Sequence, residues 1–306
     1  MKKLLLLTLS SIMALNIFAA SAFAGQRYHN TVSKQHPATK IMELYISNLH
    51  ADNITIEPYI VSIMALDQVE HKHHLREVKS FIQWYFSRLN FPDKHGLSGT
   101  IYVYELKNGQ EKSTLKYDSV DGYSGLFLYL LSRYVDQSGD TELIEKNWGK
   151  VEAIAYTLPY LQEKDGLTRA LPDSQVKYLM DNCESYAGVS AYIKLRALLG
   201  KPSSDYYDVV KASIKKGIIT NLYDPETGMF HWATEDGEPS RSSWSVFYPD
   251  AFAQLFPIYY DILDETPELR QRLWGVFRYK YADIIRSYPV EQRIIYDLTK
   301  RKVEGL

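Results

Sequence analysis

One cysteine, Cys183, stands among 306 residues, so no intrachain disulfide can form and stability must come from the core. With no partner histidine visible in the sequence, that thiol reads as buried rather than reactive. His71, His73 and His74 cluster without an acid or cysteine at zinc-ligand spacing, so a solvated turn is expected there and no metal. Asp224-Pro-Glu226-Thr-Gly228 lacks the alternating acids and closing Glu of a calcium loop and reads as a turn. The 35 Lys and Arg are spread out and balanced by 37 Asp and Glu, which excludes a nucleic-acid footprint. No motif calls for a cofactor.

Long apolar runs are missing beyond the first 24 residues. Those begin with Lys2 and Lys3, continue through an apolar stretch from Leu4 to Phe18, and end in Ala22-Phe23-Ala24. This is the pattern of a cleavable signal peptide, residues 1–24, cut after Ala24 and before Gly25. The apolar core is short for a membrane span, and no Cys lies near the cut to make a lipoprotein. The expected product is an exported protein, secreted or periplasmic, without a membrane anchor. Losing Lys2 and Lys3 takes the formal charge from −2 to −4. Residues 25–36 read as a flexible polar leader and 37–306 as one domain, expected to be monomeric.

Tyr is abundant, at 25 residues. Its flat apolar face and polar tip suit surfaces that handle sugars, and helical cores as well. Four times an acid stands two positions before an aromatic: Glu57-Pro-Tyr59, Asp121-Gly-Tyr123, Glu184-Ser-Tyr186 and Asp250-Ala-Phe252. The acids are 64, 63 and 66 residues apart (121−57, 184−121, 250−184), each where a helix is expected to begin. Such a period leaves room for two helices per unit and predicts helical hairpins set around an axis, with the acids at one end.

Apolar spacing predicts a first helix over Ala38–His50, then the hairpin helices. The first begins at Glu57, with Pro58 favouring its first turn, and pairs with Lys72–Leu89. Asp121–Gln137 pairs with Thr141–Leu161, Glu184–Leu199 with Asp205–Thr220, and Asp250–Leu263 with Glu268–Arg286. A short helix, Val290–Lys300, follows. The first helix of each pair is the more apolar, as expected of inner helices ringed by outer ones. Between Asn90 and Val120 an alternating stretch with a Lys107-Asn-Gly109 turn predicts a small β-hairpin near 99–117. Leu222–Phe247, rich in aromatics, is expected to be an ordered functional loop. Trp148 and Trp274 are expected to fill gaps between helices. The fold class is all-α: an (α/α) toroid of helical hairpins with a small β-hairpin insertion.

In hairpin order and acid placement, from about Glu57 to Ile285, the chain resembles the six-hairpin glycosidase superfamily. Within it, Glu57, Asp118-Ser-Val-Asp121 and Tyr248-Pro-Asp250-Ala251 follow the order of family 8 glycoside hydrolases. The departures are two residues between the paired Asp instead of one, a Pro inside the Tyr-Asp pair, and no glycines after the early Glu. The resemblance implies an (α/α) toroid acting on glycans, and with the family 8 order, inversion.

Cleaving a glycosidic bond needs a protonated carboxyl for the leaving oxygen and an ionised one to activate water or attack carbon. Glu57 is the expected acid, with Asp121 or Asp118 as partner and Asp250 third. Asp181 and Glu184 are expected to bind sugar hydroxyls. Trp232 and Trp244 are expected to stack on a sugar ring, and Tyr59, Tyr123, Tyr186 and Tyr248 to line the substrate. Acids at helix starts also serve as caps and dipole partners, and the repeat could itself be a packing device. Two other functions stay open: a polysaccharide lyase using Arg169 or Arg241, and a non-catalytic envelope sugar-binding protein.

Overall fold

The computed structural model describes residues 36–47, 49 and 53–305, which fall within one compact unit, Val32–Leu306. The expected signal peptide, the leader up to residue 35, and His50 lie outside the described residues.

The chain opens with α1 (Pro37–Glu43), shorter than expected, and β1 (Asn53–Ile56). β1 feeds α2 (Pro58–Glu70), which Pro58 starts and Glu57 precedes in extended conformation; α3 (Leu75–Arg88) runs back. β2 (Tyr104–Lys107) and β3 (Gln110–Ser113) form the expected hairpin, with Asn108 and Gly109 at φ 52° and 76°, the left-handed pair a two-residue turn requires. β1 pairs antiparallel with β2, Ile56 opposite Tyr104, so the backbone entering Glu57 is clamped in a three-stranded sheet. That pairing joins segments about fifty residues apart and carries no local signal.

The second hairpin is α4 (Asp121–Ser138) against α5 (Thr141–Lys146) and α6 (Trp148–Leu161), two pieces where one helix was expected, broken at Asn147. Gly139 ends α4 in the left-handed conformation, and Asp140 caps α5 by accepting the Leu143 N–H. β4 (Val176–Tyr178) runs directly into α7 (Leu179–Leu198), and α8 (Asp205–Gly217) follows. α7 starts five residues before Glu184. Glu184 therefore sits in its second turn, which corrects the expectation of a helix start there.

Residues 222–247 are ordered as two short hairpins, β5 (Tyr223–Asp224) with β6 (Met229–Phe230) and β7 (Ala233–Glu235) with β8 (Glu238–Ser240). The Asp224 side chain closes the first turn by accepting from Glu226 N and Thr227 Oγ1. β7 also pairs with β4, Tyr178 opposite Ala233, so this loop braces the entry to α7. Asp250 lies in a wide turn, Phe247–Ala251, ahead of α9 (Leu255–Tyr259), rather than on a regular helix. α10 (Pro267–Tyr281) and α11 (Val290–Glu304) complete the unit.

α2, α4, α7, α9 and α11 pack in that order, and α11 returns to α2, closing a ring. The other helices lie outside it. The inner α4 buries Leu126, Phe127, Leu128, Leu130 and Leu131 on nearly every side, whereas the outer α8 buries only Val210, Ile214 and Gly217. That difference is the one their compositions predict. α4 and α7 meet backbone to backbone: a Cβ on Gly125 would stand 2.4 Å from the Glu184 carbonyl oxygen, and one on Gly188 2.5 Å from the Gly125 Cα. Trp148 stacks on Tyr192 and Trp274 packs at a tilt against Tyr296, filling gaps between layers. Cys183 is buried and free.

Candidate active site

Two of the four repeated acids, Glu57 and Glu184, are joined to other repeats by the tyrosines of the motif. The Tyr123 hydroxyl of the second repeat donates to Glu57 Oε1 of the first at 2.7 Å. The Tyr59 hydroxyl of the first donates to Glu184 Oε1 of the third at 2.8 Å. The two rings stack with centroids 5.7 Å apart and planes 24° apart. The acid-x-tyrosine motif thus latches one hairpin to another, and its carboxylates are side-chain partners rather than caps: Glu57 makes no capping bond to α2.

These acids sit in different environments. Glu57 is half-buried, and its pKa rises from 4.5 to about 7. Burial is the main cause; the Tyr123 hydrogen bond opposes it, and the charges of Asp118 and Glu291 add to it. Asp118, on the loop before α4, is exposed to solvent but surrounded by protein on other sides, and burial lifts its carboxyl too. Glu291 enters from the first turn of α11.

Asp121 is fully buried, accepting from Thr168 Oγ1 at 2.6 Å and from the Gly122 N–H at 2.8 Å. Burial raises it to about 6 against those bonds. Asp181 lies beside it, in the first turn of α7, and is pushed well above the carboxylate range by burial and then by the charge of Asp121. Asp181 therefore keeps its proton next to an Asp121 held in acceptor form. Asn182 supports the pair by accepting the Thr168 N–H and donating to the Thr168 and Tyr178 carbonyls. Glu184, with no exposed surface, is likewise raised well above its ordinary value by burial, since an unpaired charge there would be very costly.

Aromatic groups line the open side. Tyr248 is 52% exposed, yet the charges of Asp118, Asp181 and Glu291 all act on its hydroxyl. Such a side chain meets solvent and the acids together. Tyr178 faces Asp181 and Asp118, burial raises its phenol to about 12, and Trp232 stacks behind it at 6.2 Å and 14°.

The structure thus gathers Glu57, Asp118, Asp121, Asp181, Glu184, Tyr59, Tyr123 and Tyr248, with Trp232 one layer behind. It corrects the sequence at several positions. Asp181 and Glu184 are too buried to meet sugar hydroxyls. Asp250 turns away to accept the Ser243 N–H at 2.7 Å, fastening the loop that carries Tyr248. Tyr186 points toward Lys215, Asp264 and Asp261, beside a shallow groove lined by Lys215, Ile219 and Glu265. Trp244 packs on the core, and its carbonyl accepts from Tyr281. The sequence missed Tyr178, whose signal was a β-strand residue abutting an apolar helix, and Glu291, whose signal was an acid after Pro289-Val290 at a helix start. It also missed Thr168 and Asn182, which lie outside the repeat.

No protein-family model matches this chain, and no curated protein matches it by sequence. Solved structures do. A rhamnosidase from Klebsiella oxytoca with rhamnose bound matches over 94% of this chain with a TM-score of 0.54 at 11% identity; the chain spans 54% of that protein's length. A family 63 mannosylglycerate hydrolase from Thermus thermophilus in complex with glucose matches over 81% of this chain and 76% of its own, with a TM-score of 0.56 at 12% identity. Cellobiose 2-epimerase from Bacillus thermoamylovorans matches over 82% and 72%, at 0.51 and 10%. The finer likeness to family 8 is not shown by these matches. At such identities the likeness is one of fold, and that fold is an (α/α) toroid.

Proposed function

We propose that this chain is a carbohydrate-active enzyme that hydrolyses glycosidic bonds. Glu57 is the general acid and Asp118 the ionised partner. The observation that carries this reading is a half-buried carboxyl raised to about 7 by burial and by the charge of Asp118, a solvent-exposed acid that also acts on the hydroxyls of Tyr248 and Tyr178. Solved structures of this fold with rhamnose or glucose bound support a sugar ligand. Glu57 gives its proton to the leaving oxygen as the C–O bond breaks. Asp118 takes a proton from the water that attacks the anomeric carbon, which inverts the configuration. Asp121, the alternative partner, is sealed from solvent by Thr168 and Asp181 and has no room for that water.

The lyase reading fits less well. The charges that raise Glu57 are both acidic, and Arg169 is engaged by Glu163 at 3.0 Å and the Pro172 carbonyl at 3.1 Å. We infer that the protein is exported and begins at Gly25; N-terminal sequencing of the secreted or periplasmic form checks this, and an intact Met1 would refute it.

The test is reducing-end release from a panel of neutral and uronate glycans by wild type, Glu57→Gln and Asp118→Asn. Each variant should lose activity about 10²–10⁴-fold with the fold intact. Full activity in Glu57→Gln overturns the assignment of the acid. A wild type that binds glycans but cleaves none across the panel favours a sugar-binding protein.

A further inference from the structure

We propose that Tyr123 is the positioning residue for Glu57: its hydroxyl occupies Oε1 and so confines the acid proton to Oε2. This rests on the reading of Glu57 as the general acid. A carboxyl in a symmetric setting can carry its proton on either oxygen, and only one of those forms points it at the leaving group. The 2.7 Å bond from Tyr123 breaks that symmetry. Oε1 has its donor, while Oε2 has no hydrogen-bond partner among the described residues.

Tyr123 is itself held on all sides. Only 4% of it is exposed, its ring lies against Tyr59, and it rises from the first turn of α4 beside the Gly125–Gly188 contact that fixes α4 on α7. Burial, and then the negative charge of Glu57, push its phenol well above the ordinary range, so it remains a donor at any working pH. Tyr59, its stacking partner, is tied to Glu184 and cannot substitute for it. The groups facing Glu57 are therefore Tyr123 from α4, Asp118 from the loop before it and Glu291 from α11. Of these, only Tyr123 donates a hydrogen bond.

The bond has a second effect. A phenol donates more strongly to a carboxylate than to a neutral acid, so Tyr123 draws the pKa of Glu57 down against the pull of burial and of the two acids. Once the proton has left for the glycosidic oxygen, the same bond stabilises the carboxylate that remains.

The experiment is Tyr123→Phe, which keeps the ring and its stack and removes only the hydroxyl. Glu57 is titrated without substrate by infrared difference spectroscopy, its protonated carbonyl band being identified by loss in Glu57→Gln. The Tyr123→Phe midpoint should lie above the wild-type midpoint, and Tyr59→Phe should leave it in place. On any glycan the wild type cleaves, kcat should fall about 10–100-fold with KM within about twofold, and the alkaline limb of the rate profile should move up with the midpoint. If Tyr123→Phe does not fold, 3,5-difluorotyrosine at position 123, a stronger donor, should move the midpoint down. An unmoved midpoint in the folded variants overturns the proposal, even where glycan is cleaved. A shifted midpoint in a protein that cleaves no glycan sinks the hydrolase reading and leaves the Tyr123–Glu57 coupling standing.

Discussion

Glu57→Gln offers a test that needs no substrate. A carboxyl whose pKa rises on folding holds its proton more tightly in the folded state. Below the unfolded value of 4.5 both states are protonated and nothing is lost; as pH rises from 4.5 to about 7, folding must forgo an ionisation that the unfolded chain enjoys. The shift of about 2.5 units (7 − 4.5) corresponds to a penalty of about 3 kcal/mol at 1.36 kcal/mol per unit, fully developed above pH 7. Solvent reaches Glu57 in part and screens it, so this figure is a ceiling. Gln keeps the acceptor that Tyr123 needs and carries no charge. The variant should therefore match wild type near pH 4 and exceed it near pH 8 by about 1–3 kcal/mol, or roughly 2–4 °C in Tm per kcal/mol. Thermal unfolding followed by circular dichroism across that range reads the difference directly. A gap between the two proteins that does not change with pH would mean that Glu57 titrates as an ordinary surface carboxyl, and the case for a poised acid would collapse.

Two further outcomes follow from the packing. Gly125→Ala places a methyl 2.4 Å from a backbone carbonyl that cannot yield, so α4 and α7 must separate; a loss of about 3 kcal/mol or more is expected, seen as a Tm fall of several degrees, and a wild-type Tm would show that the contact is loose. Trp232→Ala removes the ring behind Tyr178 and should weaken oligosaccharide binding by about 1–3 kcal/mol, measured by calorimetry; unchanged affinity would exclude this pair as a sugar platform.

What could be read from the sequence was local. Pro58 after Glu57 and Asn108-Gly109 in the hairpin are short-range signals, and both stand where expected. The acid-x-tyrosine repeat was legible as a repeat, but its bonding was not, because Tyr59 reaches an acid 125 positions away and Tyr123 one 66 positions away. Glu184 was misplaced on its helix because Leu179-Met180, directly after β4, can begin a helix as well as Glu184 can. Asp250 was grouped with the others by spacing and motif order, and neither could show that its carboxylate turns to the Ser243 N–H in the turn ahead of α9. Glu291 went unnoticed because α11 read as an appendage rather than the helix that closes the ring.

That closure has a consequence for biogenesis. Glu57 and Glu291 are 234 residues apart (291 − 57), yet they contribute to one electrostatic environment. While a ribosome has released only the earlier hairpins, α2 lacks the neighbour that will cover its flank, and the proton affinity of Glu57 is not yet set. A nascent chain therefore gains the Glu291 contribution to the proton affinity of Glu57 only once residues 290–304 dock. Ring closure thus ties the tuning of one carboxyl to a contact of long sequence separation, the kind whose formation costs the most chain entropy.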